Sequence, residues 1–351
     1  MRSIYRLLDA VTNRVCEGFR VIEDICRFML DDALSGKKLK DYRQNLRLTV
    51  SKVANLNTLL TQRDTNKDLG TTWEGVHEYN REEISDIVVA NFKRIQEGLR
   101  SIEEQLKHVD TGTSSKLIEH MRYDSYVLEK EIIQKVSKLF LKNLNFTLVF
   151  DPNSCKTDPW QLLDKTLSAG VDSVQFRVKD YLEKEQENVD FIRKTHEICQ
   201  KHNAPLIIND RADWALITQA EGLHLGQKDL AVADTQQILQ INQIIGLSIA
   251  SEEDLKSAEN STADYFGVGA LFPSETKFYE NTPGLNLYKK TLETLEKPVF
   301  GIGGISENIL PLLKEIAHGT GKMLRICVSS AILKSDQPEK VAENMRRILD
   351  E

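Results

Sequence analysis

Short apolar runs alternate with amphipathic segments from residue 146 onward, and this alternation constrains the fold more strongly than any other feature of the sequence. The apolar runs are FTLVFD, DSVQFR, PLIIND, GLHLG, IIGLSI, YFGVG, PVFGIGG and MLRICV. Each is followed by a segment with helical periodicity, which is typical of parallel strands joined by crossover helices. Eight such pairs predict a closed (β/α)8 TIM barrel over residues 144–351, with an open, doubly wound sheet as the alternative.

The residues before this pattern indicate a different kind of domain. All eight prolines lie at or after Pro152, and the residues that precede it carry apolar and charged side chains at helical spacing. We therefore predict an all-α helical bundle over residues 1–143. The predicted helices span roughly residues 3–33, 38–62, 82–108 and 113–142. The polar residues 63–80 between the second and third helices are predicted to form a surface loop.

The bundle contains an internal helix repeat in its sequence. EGFRVIED at residues 17–24 recurs as EGLRSIEE at residues 97–104, an offset of 80 residues (97 − 17 = 80). A glycine inside a helix costs about 1 kcal/mol relative to alanine, so Gly18 and Gly98 predict that the two repeated helices cross closely. A charged stripe follows each glycine-containing repeat and is interpreted as a solvated helix face rather than as a ligand site. Its members are Glu17, Arg20, Asp24 and Arg27 in the first copy and Glu97, Arg100, Glu104 and Lys107 in the second.

Composition argues against several classes of function. The net charge of −7, with both signs mixed along the chain, provides no basic face for nucleic acid. No apolar run follows the charged start MRSIYR, and no stretch approaches the ~20 apolar residues that cross a bilayer, so a cytoplasmic protein without a membrane partner is expected. The five cysteines lie far apart, which favours reduced, packed thiols over disulfides or a zinc site. The oligomeric state stays open between a monomer and a homo-oligomer.

Polar side chains follow successive predicted strands, at the end of a barrel where reacting groups cluster. Gln175, Arg177 and Lys179 alternate after the second strand, and an amide with two cations pointing the same way suits a phosphorylated ligand. Asp210 and Asp229 follow the next two strands. Two carboxylates together with substrate phosphate oxygens are typical ligands of Mg²⁺, so a magnesium site is predicted there.

The remaining strand ends add amide, hydroxyl, lysine and glycine groups, namely Asn209, Ser248, Ser274, Thr276, Lys277, Gly304, Ser329 and Ser330. Some of the strand-end residues have a purely structural interpretation, because Asp210 can cap a helix, GIGG can form a tight turn and His224 can be a core histidine. Chemistry that binds anions or metals nevertheless recurs at successive strand ends. We therefore predict two phosphate subsites, with Mg²⁺ at one of them.

The segments VQFRVK, IINDRADWAL, EGLHLGQKDL, FGVGALFPSETK, VFGIGGI and VSSAIL, in this order, resemble thiamine phosphate synthase, also called thiamine-phosphate pyrophosphorylase. The resemblance spans nearly all of residues 145–335 and depends on the ordered set rather than on any one segment. It implies a transferase of thiamine biosynthesis that needs Mg²⁺. Such an enzyme joins hydroxymethylpyrimidine diphosphate and thiazole phosphate to give thiamine phosphate and pyrophosphate.

The resemblance also implies a role for each matching residue. The contacts to the pyrimidine diphosphate are matched by Gln175, Arg177, Lys179 and Asn209, with Ser248 and Lys277 as further contacts on the pyrophosphate side. The Mg²⁺ ligands are matched by Asp210 and Asp229. The thiazole phosphate side is matched by Ser274, Thr276, Gly304, Ser329 and Ser330. Those expected to act in catalysis are Arg177, Lys179, Ser248 and Lys277.

The stretch RLLDAVTNRVCEGFRVIEDICRF resembles a helical extension that precedes the synthase in some bacterial fusions and is sometimes named after the pyrimidine phosphate kinase step. It contains no nucleotide-binding loop, so the role of the bundle stays open between a kinase, a regulatory and a structural domain. Two other functions compete with the synthase, a thiazole tautomerase-like barrel and a non-catalytic ligand-sensing scaffold. The carboxylates and cations at the strand ends argue against the tautomerase, which needs no pyrophosphate site.

Overall fold

The chain folds as two compact units, Met1–Leu139 and Phe140–Glu351. The structure is a computed structural model, and it describes residues 2–64, 81, 83–109, 112–178, 184–272 and 283–351. Within these ranges, no helix is both long enough and apolar enough to cross a membrane.

The first unit is helical, as predicted. Its helices are α1 (Arg2–Phe28), α2 (Ala33–Ser51), α3 (Leu56–Gln62), α4 (Ile84–Val109) and α5 (Thr113–Ser137). The prediction of one continuous helix over residues 38–62 was wrong, because this region is divided into α2 and α3. The Asn55 side chain accepts a hydrogen bond from the Thr58 N–H and so caps a new helix at that point. Asp32 caps α2 through the Ser35 N–H in the same way, which explains why α1 ends before residue 33.

The helices α1 and α4 approach each other closely at their glycines. A Cβ atom on Gly18 would lie 2.9 Å from Ile95 Cγ1, and a Cβ atom on Gly98 would overlap Val15 Cγ2. Larger side chains at either position would therefore push the helices apart. The prediction that both glycines lie at a helix crossing is confirmed.

The second unit is a closed barrel of eight parallel strands in sequential order, which confirms the predicted TIM barrel. The strands are β1 (Phe146–Phe150), β2 (Ser173–Phe176), β3 (Leu206–Asn209), β4 (Gly222–Leu225), β5 (Ile244–Ile249), β6 (Tyr265–Val268), β7 (Val299–Ile302) and β8 (Ile326–Val328). All eight apolar runs of the sequence therefore form strands. The helices around them are α6 (Pro159–Ser168), α7 (Glu185–Lys201), α8 (Ala212–Thr218), α9 (Val232–Ile238), α10 (Glu252–Ala258), α11 (Pro283–Thr294), α12 (Leu310–Gly319), α13 (Ser330–Leu333) and α14 (Pro338–Asp350).

Apolar side chains fill two separate layers of this unit. Outward-facing strand residues pack against the surrounding helices in one large core, for example Leu148 of β1 and Phe266 of β6. Alternate residues face the barrel interior and form a smaller core, which includes Val149, Ile207 and Phe300. Leu141 and Leu144 extend the inner core at the N-terminal end of the barrel, and the described candidate site residues lie toward the C-terminal ends of the strands.

A short segment closes the N-terminal end of the barrel. Residues Leu139–Lys142 form a 3-10 helix, and Leu141 and Leu144 are buried in the inner core. The Arg325 guanidinium, directly before β8, donates hydrogen bonds to the carbonyl oxygens of Leu141 at 3.1 Å, Lys142 at 2.8 Å, and Leu144. Residues 141–144 are therefore part of the barrel's packing rather than a free linker.

Candidate active site

The described candidate residues all lie at the C-terminal end of the barrel. Gln175 is in β2 and Arg177 follows it, Asn209 ends β3 and Asp210 follows it, and Asp229 lies in the loop after β4. Ser248 is in β5, Gly304 follows β7, and Ser329 and Ser330 follow β8. The other four predicted residues, Lys179, Ser274, Thr276 and Lys277, lie outside the described residues.

Asp210 and Asp229 come together, although 18 residues separate them in the sequence (229 − 210 − 1 = 18). Asp210 has a left-handed backbone with φ of 63°, and its N–H donates to the His224 carbonyl oxygen at 2.8 Å. The Asp229 carboxylate accepts from the Gly226 N–H at 2.6 Å, which folds the loop after β4 back on itself. These backbone contacts orient both carboxyl groups toward each other.

The electrostatics of this pair favour a shared proton or cation. Burial and contact with the Asp229 carboxyl group raise the pKa of Asp210 to about 6, whereas Arg177 and the Asn209 side chain act in the opposite direction. Two carboxylates held this close repel each other, and a divalent cation removes that repulsion. Carboxylate oxygens are hard donors that suit Mg²⁺.

The protein alone offers only part of a coordination shell at this point. Among the residues that the structure describes, no group of three or more His, Cys, Asp or Glu side chains is arranged to hold a metal. Magnesium characteristically keeps several waters or substrate oxygens beside one or two carboxylates. The pair Asp210 and Asp229 fits that mode of binding.

A buried histidine connects the carboxylate side of the site to β5 and β6. His224 Nε2 lies 2.9 Å from Ser248 Oγ, and His224 Nδ1 lies 3.1 Å from Tyr265 Oη. Burial, together with the nearby charge of Arg177, lowers the pKa of His224 to about 4. The imidazole is therefore neutral at neutral pH. The Gln227 side chain fixes the same strand by donating to the Ser248 carbonyl oxygen at 2.5 Å.

Two glycines make room for this histidine and tyrosine. A Cβ atom on Gly246 would lie 2.5 Å from His224 Nδ1 and would overlap the Tyr265 ring, and one on Gly267 would lie 3.0 Å from His224 Cε1. The strand register places Gly246 opposite both His224 and Tyr265. Interior space that most barrels fill with aliphatic side chains is occupied here by two polar rings.

Near β7 and β8, the C-terminal end of the barrel consists of backbone turns and hydroxyl groups. Gly303 and Gly304 have φ angles of 97° and 68°, which favour glycine. The Phe272 N–H donates to the Gly303 carbonyl oxygen at 3.2 Å, so the loop after β6 rests on the loop after β7. Ser329 and Ser330 begin α13 after β8, which pairs with β7. These loops form a second polar area at the same end of the barrel.

The sequence reasoning missed one residue and undervalued another. Tyr265 was interpreted only as part of an apolar run, and His224 was left out of the predicted site, with a core histidine as one interpretation of it. Tyr265 faces the barrel interior opposite Gly246 of β5. The signal in the sequence is an aromatic residue with a hydroxyl group in one strand next to a glycine in the neighbouring strand. The core interpretation of His224 is correct about its burial, but it overlooks the hydrogen bond to Ser248.

Comparisons with known proteins identify the family of each part of the chain. Residues 146–332 match the family described as "Thiamine monophosphate synthase", and residues 6–131 match the "ThiD2 family". "Thiamine-phosphate synthase" from Nostoc punctiforme is 32% identical over 345 residues, covering 97% of this chain and 92% of the relative. The protein of the same description from Thermosynechococcus vestitus is 31% identical over 351 residues, covering 100% and 96%. Among solved structures, "Thiamine phosphate pyrophosphorylase" from Pyrococcus furiosus is 28% identical with a TM-score of 0.51, covering 60% of this chain and 98% of that one.

Proposed function

The chain belongs to the thiamine monophosphate synthase family, and we propose that its barrel joins hydroxymethylpyrimidine diphosphate to thiazole phosphate with Mg²⁺ bound between Asp210 and Asp229. The reaction is a group transfer that forms thiamine phosphate and releases pyrophosphate. The observation that carries the metal assignment is the contact between the two carboxyl groups, which raises the pKa of Asp210.

The pyrophosphate group is bound on the side of β2 to β5. Arg177 lies close enough to the carboxylate pair to lower the pKa of Asp210, so it can pair with a phosphate held by the same metal. Asn209, Gln175 and Ser248 supply neutral hydrogen-bonding groups beside it. We assign Lys179 and Lys277 to the same subsite on the sequence resemblance.

The thiazole phosphate is bound on the side of β7 and β8. Gly304 in its left-handed turn and the hydroxyl groups of Ser329 and Ser330 offer a backbone and side-chain cradle for a phosphate. Ser274 and Thr276 belong to this subsite on the sequence resemblance.

The residues of the chain promote the reaction mainly by binding and orientation. When bound, Mg²⁺ supplies neutralisation of the charge on the departing pyrophosphate. Arg177 adds a positive charge next to it, which stabilises the departing anion. With both substrates held in line, the thiazole nitrogen attacks without a nucleophilic side chain, because proximity replaces covalent catalysis.

The test is pyrophosphate release by the full chain, with each substrate and Mg²⁺ omitted in turn. Wild-type protein is expected to release pyrophosphate only when all three are present. Asp229→Asn should reduce turnover at least about 100-fold and should abolish the rise in melting temperature that Mg²⁺ causes in the wild type. Asp234→Asn, an exposed carboxylate in the first turn of α9, is the matched control and should behave as wild type.

Each assignment fails on a different result. Absence of pyrophosphate release by the folded wild-type chain would refute the synthase. Full Mg²⁺-dependent turnover by Asp229→Asn would refute the metal site while leaving the synthase intact.

We also infer that the helical unit is an internally repeated helical hairpin. The buried carboxylate of Glu23 contacts the guanidinium groups of Arg20, Arg27 and Arg43. The buried carboxylate of Glu103 contacts Arg100, Lys107 and Arg122. Glu103, Arg100 and Lys107 each follow their counterparts by 80 positions (103 − 23, 100 − 20 and 107 − 27). The third cation of each cluster comes from the helix that follows, α2 or α5, which supports duplication of the whole hairpin.

A further inference from the structure

We propose that Tyr265, His224 and Ser248 form one directed hydrogen-bond chain that leaves the hydroxyl hydrogen of Ser248 free to bind the pyrophosphate-bearing substrate. His224 and Tyr265 are positioning residues in this scheme, since they act through Ser248. The inference rests on the proposed function, because that function supplies the anionic group that receives the hydrogen bond.

The three side chains come from three neighbouring strands, β4, β5 and β6, and meet inside the barrel. Tyr265 Oη lies 3.1 Å from His224 Nδ1, and His224 Nε2 lies 2.9 Å from Ser248 Oγ. Tyr265 is buried, whereas Ser248 is half-buried at the strand end, so the chain leads from the interior to the site.

The direction of each hydrogen bond follows from the donors available. Tyr265 is buried, and its hydroxyl oxygen lies 3.1 Å from His224 Nδ1. A phenol is a good donor and a weak acceptor, and an imidazole nitrogen without a hydrogen is a good acceptor. The Tyr265 hydroxyl group therefore donates to His224 Nδ1. A neutral imidazole has one donor and one acceptor, so Nε2 must carry the hydrogen and donate to Ser248 Oγ.

Ser248 is thereby left as a donor. Its oxygen already accepts from His224, and its own hydrogen has no role in the chain. A hydroxyl group fixed in this orientation can donate to a phosphate oxygen without first breaking another hydrogen bond, which is the kind of preorganisation that favours binding of charge. Tyr265→Phe would remove the donor to Nδ1. The imidazole could then move its hydrogen to Nδ1 and accept at Nε2, so that Ser248 would donate to His224 instead of to substrate.

The first experiment tests the chain without any substrate. The full protein, with ¹⁵N-labelled histidine, is studied by NMR at neutral pH, and the resonances of His224 are assigned among the seven histidines by comparison with His224→Asn. We expect the Nε2–H tautomer in the wild type and a substantial Nδ1–H population in Tyr265→Phe. A wild-type His224 with its hydrogen on Nδ1 would overturn the proposal, whatever the enzyme catalyses.

The second experiment tests what the chain does for the substrate. Tyr265→Phe is expected to raise KM for the pyrimidine diphosphate about tenfold or more, as for loss of a hydrogen bond to a charged group, with KM for the thiazole phosphate unchanged. Ser248→Ala should do the same, and the double variant should be no worse than Ser248→Ala alone.

The matched control is Tyr288→Phe. Tyr288 is also fully buried, but its hydroxyl group has no hydrogen-bond partner among the described residues, so both KM values should stay at the wild-type level. If the wild type turns over and Tyr265→Phe has an unchanged KM for the pyrimidine diphosphate, the proposal is wrong although the synthase stands. If the folded wild type has no turnover, the proposed function fails, and the role assigned to Ser248 fails with it.

Discussion

Glu103 is a fully buried carboxylate in the helical unit whose charge is held by three cations. Burial alone would raise its pKa, but hydrogen bonds from Lys107 and Arg122 and the charge of Arg100 lower it below the usual value. Because the folded pKa is the lower one, Glu103 contributes stability above the unfolded pKa of about 4.3, and this contribution is lost as pH falls through the folded value.

Glu103→Gln should therefore lower the free energy of unfolding at pH 7 by about 2 kcal/mol, and should make stability less sensitive to acid between about pH 3 and 5. Urea unfolding of the full chain across this range measures both effects. The control is Glu104→Gln, which removes a half-exposed carboxylate bonded to the same Arg100 and Lys107 and should cost at most about 0.5 kcal/mol. Equal losses for the two variants would contradict the role given to burial.

His196 provides the opposite pH dependence in the barrel unit. Its hydrogen bond to Glu221, at 3.0 Å, raises its pKa, although burial opposes the shift. A histidine with a raised folded pKa contributes stability that is fully present below the unfolded pKa of about 6.5 and is lost as pH rises through the folded value. We expect the urea midpoint to fall between about pH 6 and 8 in the wild type and to change less in His196→Gln and in Glu221→Gln. A wild-type decline that persists in both variants would assign the effect to another group.

At the scale of elements, the crossing of α1 and α4 depends on two glycines. An exposed helical glycine changed to alanine usually gains stability of up to about 1 kcal/mol, but a Cβ atom on Gly98 would overlap the stiff, branched side chain of Val15. Gly98→Ala should therefore lower the melting temperature in spite of its better helix propensity. The double variant with Val15→Ala should have a higher melting temperature than the sum of the two single effects predicts, because Val15→Ala removes the overlapping methyl group.

The control for this crossing is Gly36→Ala in α2. Its added Cβ atom would meet mainly the flexible side chain of Arg27, with the nearest atom 3.2 Å away. We expect a melting temperature at or above that of the wild type. A stabilised Gly98→Ala would show that α1 and α4 can separate without cost, contrary to the packing described above.

At the scale of the whole molecule, the sequence predicted the barrel well because each buried strand forms a distinct apolar run between amphipathic helices. The division of α2 from α3 was not predicted. Asn55 caps a helix because the chain turns at that point, and the sequence alone does not distinguish a capping asparagine from an exposed asparagine inside a helix. The hydrogen bond between His224 and Ser248 was also beyond prediction. It depends on the register that sets Gly246 opposite both rings, and register between parallel strands is decided by tertiary packing.

The inner core of the barrel determines where the chain can be cut. Residues 145–351 contain every candidate site residue, yet they lack Leu141 and Leu144 and the carbonyl oxygens of residues 141, 142 and 144 that Arg325 binds. Loss of two buried leucines costs several kcal/mol, at about 2–5 kcal/mol for each large-to-small change in a core. It also leaves the half-buried Arg325 guanidinium without these acceptors.

A barrel that begins at residue 138 should therefore fold with a cooperative transition and release pyrophosphate at the rate of the full chain. One that begins at residue 145 should melt at a lower temperature and lose activity in proportion to its unfolded fraction. Calorimetry and turnover of both fragments provide the comparison, and Arg325→Leu in the longer fragment should lie between them. Equal melting temperatures for the two fragments would mean that residues 138–144 rest on the barrel without supporting it.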